Sequence, residues 1–382
     1  MATSAPSLRL GIEEEYLLID PVGGDLVRSP DPAFMAACRD ALGGQVTPEL
    51  LQAQVEVATQ PCATVAAARD ELARLRRAVA DVARTHGMAI VAASTHPFAS
   101  WTDQQSTDKE RYRVLTEDLQ MVARRQLISG MHIHAGIEDE DLRIDLMNQV
   151  AYFLPHLLAL STSSPFWSGH DTGLKAYRPA IADVLPRSGA PERLESWRDW
   201  QHLVTTLAET GLVDDASQIW WDVRPSANHP TLELRVTDVC TDLDHAASLA
   251  ALYQSLLHHL WRLRTRNQAW RAYRRILIEE NKWRAQRHGI EAELADFAAG
   301  RLRPVAELVG ELIELLHEDA RELGCLDELS GLRTILIEGT SADRQLAVYR
   351  EAIDQGARPP DALHAVVGWL ATATLADRSL AG

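Results

Sequence analysis

Cysteine and long apolar runs are both scarce in this sequence, and each shortage excludes a class of protein. Only four of the 382 residues are cysteines (Cys38, Cys62, Cys240 and Cys325), and no two are spaced as a Cys-x-x-Cys motif. A disulfide scaffold is therefore excluded, and a reducing, cytoplasmic location fits best. No apolar run reaches the roughly 18 residues of a membrane span. The first residues also lack a basic stretch followed by an apolar one, so we expect neither a membrane protein nor a secreted one.

Positive charge is in short supply as well. The chain has 38 Lys and Arg residues against 54 Asp and Glu residues, a formal net charge of −16 at pH 7. This balance argues against a nucleic-acid partner, because nucleic-acid binders usually carry a basic surface. Small-molecule partners are expected instead, and anionic ones remain possible because a bound metal ion reverses the local field.

The familiar phosphate-binding motifs are also missing. The sequence contains no GxxxxGK[ST] loop, no GxGxxG dinucleotide fingerprint and no protein-kinase motif set. If the protein binds ATP, it uses another architecture. The open face of an antiparallel sheet, with metal ions between protein and triphosphate, is one such architecture.

Periodicity divides the chain into two parts of one predicted domain, residues 1–382. Residues 8–240 combine strands with crossing helices, and residues 242–378 are almost entirely helical. Asp139 is positioned to cap a helix that runs to about Leu160. Residues 163–190 are rich in Ser, Pro and Gly and are predicted to form a long loop, a candidate cover for an active site. The pattern indicates an α+β fold with an antiparallel or mixed sheet.

Four predicted strands share an unusual feature: one face is apolar and the other carries Glu, Gln, His or Arg. Side chains two apart on a strand point to the same face. The four polar faces are as follows: Glu13 and Glu15; Gln52, Gln54 and Glu56; His132 and His134; Glu233 and Arg235.

A solvated outer surface is the simplest explanation for any one of these strands. Glu is disfavoured in strands, however, and like charges on one sheet face repel each other, so four such faces point to a bound cation. Carboxylates with few histidines and no thiolates suit Mg²⁺ or Mn²⁺ better than zinc.

Four segments then resemble a known family, the carboxylate–amine ligases, also called type 2 glutamate–cysteine ligases. They are GIEEEYLLID (11–20), SGMHIHAGI (129–137), RPSANHPTLELRVTDVCTD (224–242) and ENKWRAQRHG (280–289). The resemblance runs in order from residue 8 to about 290. It implies a glutamine-synthetase-like fold (shared with the guanidino kinases), in which a curved, mostly antiparallel sheet forms a funnel for ATP, metal ions and substrates.

The resemblance also implies roles for individual residues. The implied metal ligands are Glu13, Glu15, Glu56, His132 and Glu233. Arg235 would stabilise charge near the transferring phosphate as a catalytic residue together with Glu233, while His134 would face the substrate or support the ligands.

Four further residues are candidate ligands for the nucleotide or substrate. Arg178 and Arg224 lie in predicted loops and would clamp a carboxylate or a phosphate; a surface position is the alternative. Asn281 and Arg287, in the family-like segment 280–289, would approach the nucleotide. Most of the other basic residues between 262 and 287 are expected to form a solvated helix face.

The implied activity is ATP- and Mg²⁺-dependent joining of the glutamate carboxylate to an amine such as cysteine through an acyl phosphate. Three other functions stay open: a guanidino-type phosphotransferase on the same fold, a metal-dependent amide or phosphoester hydrolase, and a binding protein with a decayed site. A homo-oligomer is compatible with the sequence.

Overall fold

The computed structural model describes residues 5–376, so the last two residues of the predicted helical part, 377 and 378, lie outside it. Short and long strands alternate with helices along the described chain. The strands are β1 Leu10–Ile19, β2 Val46–Pro48, β3 Gln54–Ala58, β4 Ala89–Val91, β5 Met131–Gly136, β6 Phe166–Trp167, β7 His170–Asp171, β8 Ser188–Gly189, β9 Trp220–Trp221, β10 Val223–Pro225, β11 Thr231–Leu234, β12 Glu293–Asp296 and β13 Arg301–Pro304.

The helices are concentrated after residue 240. They are α1 Pro32–Leu42, α2 Val65–Thr85, α3 Glu110–Leu119, α4 Met121–Arg124, α5 Glu140–Val150, α6 Leu154–Ser161, α7 Arg178–Ala182, α8 Trp197–Glu209, α9 Leu243–Thr265, α10 Arg275–His288, α11 Val305–Leu323, α12 Leu326–Ser330, α13 Leu332–Glu338, α14 Ser341–Asp354 and α15 Pro359–Thr374. The predicted α+β class is confirmed. Within the described residues, no helix is both long and apolar enough to cross a membrane.

A seven-stranded antiparallel sheet forms the centre of the fold. Its order is β10-β11-β5-β1-β3-β2, and β4 pairs with the far half of β1. The register places Glu13 opposite His132, Glu15 opposite Glu56, and Glu233 opposite both His134 and Arg224. Directly opposed side chains lie on one face only about 5 Å apart at Cβ. The polar residues of distant segments therefore meet on a single face.

The other face of the sheet is buried under helices. Ile12, Tyr16, Val55, Ile133 and Leu232 belong to one hydrophobic core that extends into α2, α5 and α9. The helices cover this face of β1 and β5 fully, since Ile12, Tyr16 and Ile133 are at most 1% exposed. The amphipathic pattern of the sequence thus determines which face is left for chemistry.

Local signals set several helix boundaries. The Asp139 carboxylate accepts a hydrogen bond from the Leu142 amide at 2.8 Å, as predicted for the start of α5. The predicted single helix to Leu160 is interrupted by a 3-10 turn at residues 151–153. Pro155 lies in the first turn of the next helix, α6, where its missing N–H costs nothing.

Two regions differ from the expectation. Residues 163–190 are not an open loop over the site: Ser163, Ser164 and Phe166 are buried, and the segment forms β6, β7, α7 and β8. The helical part contains a β-hairpin, β12–β13. In residues 163–190 the Ser163 amide and the Ser164 hydroxyl donate to a buried carboxylate, Asp238, which periodicity cannot reveal.

Glu14 is the one glutamate of β1 that points into the core. It is fully buried and accepts hydrogen bonds from Arg76 Nε and Nη2 at 2.8 and 2.6 Å and from the Tyr16 hydroxyl at 2.7 Å. Arg76 also donates to the carbonyls of Cys240 and Thr241. This guanidinium therefore joins β1, α2 and the start of the helical part.

We expect Arg76→Met to lower the free energy of unfolding by about 3–5 kcal/mol, because it leaves the Glu14 carboxylate buried without a counter-charge. Urea unfolding of the purified variant measures this. Arg84→Met is the matched control on the same helix, since Arg84 pairs with Asp81 on the surface, and it should change the value by less than about 0.5 kcal/mol. Equal stabilities for the two variants would contradict the assigned role of Arg76.

Candidate active site

The polar face of the sheet forms the floor of a cavity of about 490 Å³. Strands β1, β3, β5 and β11 supply the floor, and α7 with the segment around residue 220 supplies a wall. The charged and polar floor residues are Glu13, Glu15, Gln54, Glu56, His132, His134, Glu233 and Arg235. The structure thus brings together the five residues that the sequence suggested as metal ligands.

One group of potential ligands consists of Glu13, His134 and Glu233. An oxygen or nitrogen atom from each lies within 4.8 Å of the others. His134 Nε2 is 3.3 Å from a Glu13 oxygen, and its Nδ1 is 2.9 Å from the Thr231 hydroxyl, which fixes the ring. His132, the histidine favoured from the sequence, has its Nδ1 3.1 Å from the other Glu13 oxygen. Of the two rings, His134 therefore has the better geometry for a shared cation.

The charges in this group are held in place by their neighbours. Burial alone would raise the pKa of Glu13, but hydrogen bonds and charge from His132 and His134 outweigh it and keep that pKa well below its usual range. Burial likewise opposes ionisation of Glu233, and the charges of Arg235 and Arg224 overcome it, so its pKa is also low. Burial and the Arg235 charge lower the pKa of His132 to about 4. Burial opposes protonation of His134, but its contact with Glu13 and the charge of Glu233 outweigh burial and raise the pKa of that ring. The Glu13 and Glu233 carboxylates are thus ionised at neutral pH, whereas the protonated ring of His134 would have to give up its proton to bind a cation.

A second group consists of Glu15, Glu49 and Glu56, whose carboxylate oxygens also lie within 4.8 Å of one another. Glu49 follows β2 directly and was not identified from the sequence. Its only local signal is an acidic residue just after a short strand. The pairing of β2 with β3, which places Thr47 opposite Glu56, is what carries it to the site.

Without a counter-charge, Glu15 and Glu56 are protonated more readily than ordinary carboxylates. Burial and then the Glu49 charge raise the pKa of Glu15 to about 8. Burial, the Glu49 contact and the charges of Glu13 and Glu15 raise the pKa of Glu56 well above its usual value. A divalent cation would relieve this repulsion, so the donor set fits a hard ion with oxygen ligands.

Two arginines bind Glu233 from different sides. Arg224 Nε donates to Glu233 Oε2 at 3.0 Å, and Arg235 Nη1 donates to Glu233 Oε1. Arg224 also donates to the carbonyls of Ser217 and Ile219, at 2.8 and 2.5 Å. Most hydrogen-bond donors of the Arg224 guanidinium are therefore paired with acceptors within the protein. Arg235 is placed between Glu233 and the cavity.

Arg178 lines the cavity from the first turn of α7. Its Nη2 donates to the carbonyl of Arg235 at 3.1 Å and its Nη1 to that of Val236 at 3.3 Å. Its Nε is buried and makes no hydrogen bond among the described residues. The guanidinium lies so close to Gly130 that a Cβ there would be 2.7 Å from Nη2, which explains the glycine.

Two of the predicted nucleotide-binding residues are not at the cavity, and those predictions need correction. The Asn281 amide exchanges two hydrogen bonds with the main chain of Ala295, at 2.7 and 3.0 Å, and so holds the β12–β13 hairpin. Arg287 is exposed on the far side of α10. The expectation of a solvated face also fails for Lys282, which is completely buried between Asp183 and Asp222.

The fold has counterparts among solved structures. A glutamate–cysteine ligase from Francisella tularensis, crystallised with AMP, superposes with a TM-score of 0.67 at 16% identity, over 97% of this chain and 93% of that one. A bifunctional glutathione synthetase from Pasteurella multocida gives a TM-score of 0.66 at 16% identity, over 95% of this chain and 52% of that one. At such identity the likeness defines a class by fold alone, an antiparallel sheet with helical flanks.

Sequence similarity is more specific. The profile of glutamate–cysteine ligase family 2 matches residues 9–360, and the chain belongs to this family. A relative from Rhodospirillum rubrum is 52% identical over 97% of this chain and 96% of its own length. One from Paracoccus denitrificans is 49% identical over 96% and 98%. Both carry the provisional name glutamate–cysteine ligase 2.

The raised pKa of Glu15 leads to a prediction about metal affinity. A cation must displace the proton from this carboxyl, so Mg²⁺ should bind about tenfold more tightly at pH 9 than at pH 7, with release of protons. Isothermal titration in buffers of different ionisation enthalpy measures both quantities. In Glu15→Gln the affinity should fall and its pH dependence should flatten. An affinity independent of pH in the unaltered protein would refute the prediction.

Proposed function

We propose that this protein is an ATP-dependent carboxylate–amine ligase that uses glutamate as the carboxylate substrate and cysteine as a candidate amine. The observation that carries the proposal is the meeting of two carboxylate groups, Glu13–His134–Glu233 and Glu15–Glu49–Glu56, with Arg235 in one cavity. The names of the family and of its relatives support the same reaction class.

ATP is the proposed phosphoryl donor, with Mg²⁺ or Mn²⁺ as the required ion. The two ligand groups would each hold a cation, and His132 would support Glu13 through their 3.1 Å contact. When bound, such ions would supply positive charge that offsets the negative charge of the phosphoryl group during transfer. Adjacent oxygen-rich groups on a rigid sheet are suited to this task, because their geometry is fixed before the nucleotide arrives.

The protein's own part begins with Arg235. Its guanidinium would donate to the oxygens of the transferring phosphoryl group, where negative charge develops. Glu233 holds that guanidinium through Nη1, and Arg224 in turn holds Glu233. The catalytic arginine is thus oriented by a chain of buried ion pairs.

The reaction has two steps. The substrate carboxylate takes the γ-phosphoryl group of ATP to give an acyl phosphate and ADP. The amine nitrogen then attacks the acyl carbon, phosphate leaves, and the amine gives up a proton as the amide forms. Acyl phosphates hydrolyse readily, so the cavity must keep water out. The packed wall of α7 and β8 would serve this purpose in place of a mobile loop.

Residues 1–382 are proposed to act as one catalytic domain. One hydrophobic core includes residues from Leu8 to Ile335, and so joins the sheet to the helical part. A homo-oligomer, the lack of a nucleic-acid partner and a cytoplasmic location stay predictions.

The activity test is direct. Purified protein with ATP, Mg²⁺ and a panel of amino acids should give ADP together with a new amide, detected by mass spectrometry. Phosphorylated product without an amide would indicate a guanidino-type phosphotransferase. Amide or phosphoester cleavage without ATP would indicate a hydrolase. If no combination of amino acids with ATP and Mg²⁺ yields ADP, the proposal is rejected.

Removing the central carboxylate should abolish this activity. Glu233→Gln is expected to lower kcat at least about 100-fold, because it removes a ligand and the counter-charge of Arg235 together. Glu314→Gln is the control, since Glu314 pairs with Arg333 on the exposed face of α11. Its kcat should match that of the unaltered enzyme. A fully active Glu233→Gln would show that the cavity is not where the chemistry occurs.

A further inference from the structure

Arg235 lies just beyond the end of β11, where an irregularity in the backbone hydrogen bonding sets the direction of the Arg235 side chain. The carbonyl of Asp222 accepts hydrogen bonds from two successive amides, those of Arg235 at 2.7 Å and Val236 at 3.1 Å. Two residues facing one on the partner strand is the pattern of a β-bulge, which redirects side chains beside active sites. The direction of Arg235 therefore depends on where Asp222 lies.

The side chain of Asp222 is held in turn by a buried lysine. Lys282 Nζ donates to Asp222 Oδ2 at 2.7 Å and to Asp183 Oδ2 at 2.9 Å, and the lysine side chain is 0% exposed. Burial would favour the neutral amine, but the charges of Asp222 and Asp183 outweigh it and raise the pKa of Lys282. A permanent positive charge is thus fixed directly behind the cavity wall.

Lys282 belongs to an inward-facing stripe of α10 with Arg275 and Glu279. Arg275 donates to the Ser188 carbonyl at 3.0 Å, and Glu279 accepts from the Ala190 amide at 2.7 Å. Between them Gly189 has φ of +84°, and a Cβ there would lie 2.9 Å from a Glu279 oxygen. The stripe thus fastens α10 to the wall at several points. Of its three members, Lys282 contacts Asp222.

We propose that Lys282 is a positioning residue for Arg235, acting through Asp222 and the bulge. The proposal rests on the role given to Arg235 in the proposed function. Lys282 touches no substrate: it fixes the Asp222 side chain, the Asp222 carbonyl fixes the two bulge amides, and the bulge directs the guanidinium at the phosphoryl group. Arg178 completes the support by donating to the carbonyls of the same two bulge residues.

The kinetic test compares Lys282→Met with Arg275→Met. Loss of the ammonium should lower kcat about 10- to 100-fold, as expected when a catalytic group is misplaced by about an ångström, while KM for ATP changes little. Lys282→Arg keeps the charge and should recover part of kcat. Arg275→Met loosens the same helix at the Ser188 carbonyl but keeps the contact between Lys282 and Asp222, so its loss of kcat should be clearly the smaller one. Equal kcat for Lys282→Met and Arg275→Met would overturn the proposal.

A second measurement reads the bulge without relying on ligase activity. Hydrogen exchange at the Arg235 and Val236 amides should be faster in Lys282→Met than in Arg275→Met, because the Asp222 carbonyl is no longer fixed. Unchanged exchange would overturn the proposal even if the unaltered protein proves inactive as a ligase. Ligase inactivity with faster exchange would reject only the proposed function.

Further variants address coupling and folding. If Lys282 acts through Asp222, kcat of Lys282→Met/Asp222→Asn should be no lower than that of the slower single variant, since coupled residues are not additive. If the two losses of kcat are additive, Lys282 does not act on Arg235 through Asp222. Should Lys282→Met be insoluble, Lys282→Met/Asp183→Asn replaces it, because one unpaired carboxylate fewer remains buried. This double variant should show the same loss of kcat and the same faster hydrogen exchange. If it shows neither, the positioning role of Lys282 is overturned.

Discussion

Repulsion between carboxylates packed on one sheet is the constraint on which the rest of this structure depends. Strand β1 carries three glutamates in succession, and alternation sends the middle one, Glu14, to the core and the outer two to the cavity. The core tolerates Glu14 because Arg76 binds both of its oxygens. Glu15 accepts a hydrogen bond from the Gly130 amide, but among the described residues no guanidinium binds it, so its repulsion with Glu49 and Glu56 remains.

The two outward glutamates illustrate how environment divides one strand into two sites. Glu13 lies beside two histidines, so it is ionised. Glu15, two residues later, lies among Glu49 and Glu56, and its pKa rises to about 8. The carboxylates of Glu13 and Glu233 can attract a cation at neutral pH without losing a proton, whereas Glu15 must exchange a proton for one. A single polar face thus offers two unlike positions for positive charge.

Sequence periodicity was enough to predict part of this arrangement. Alternation along a strand is a local property, so the shared faces of Glu13 with Glu15 and of His132 with His134 could be stated beforehand. Glu49 could not, because its place depends on the pairing of β2 with β3. Alternation also could not show which histidine, His132 or His134, is better placed to bind a metal ion, since both lie on the same face.

Arg235 shows where the argument from alternation reaches its limit. β11 ends at Leu234, and beyond it the bulge opposite Asp222 determines direction. No pattern within residues 231–238 marks that bulge, because its support comes from Lys282, far along the chain. Segment 280–289 resembles other family members, which suggested contact with the nucleotide. Its polar residues Asn281 and Lys282 are buried and bind protein instead. A family-like segment can therefore serve a site by supporting the wall behind it.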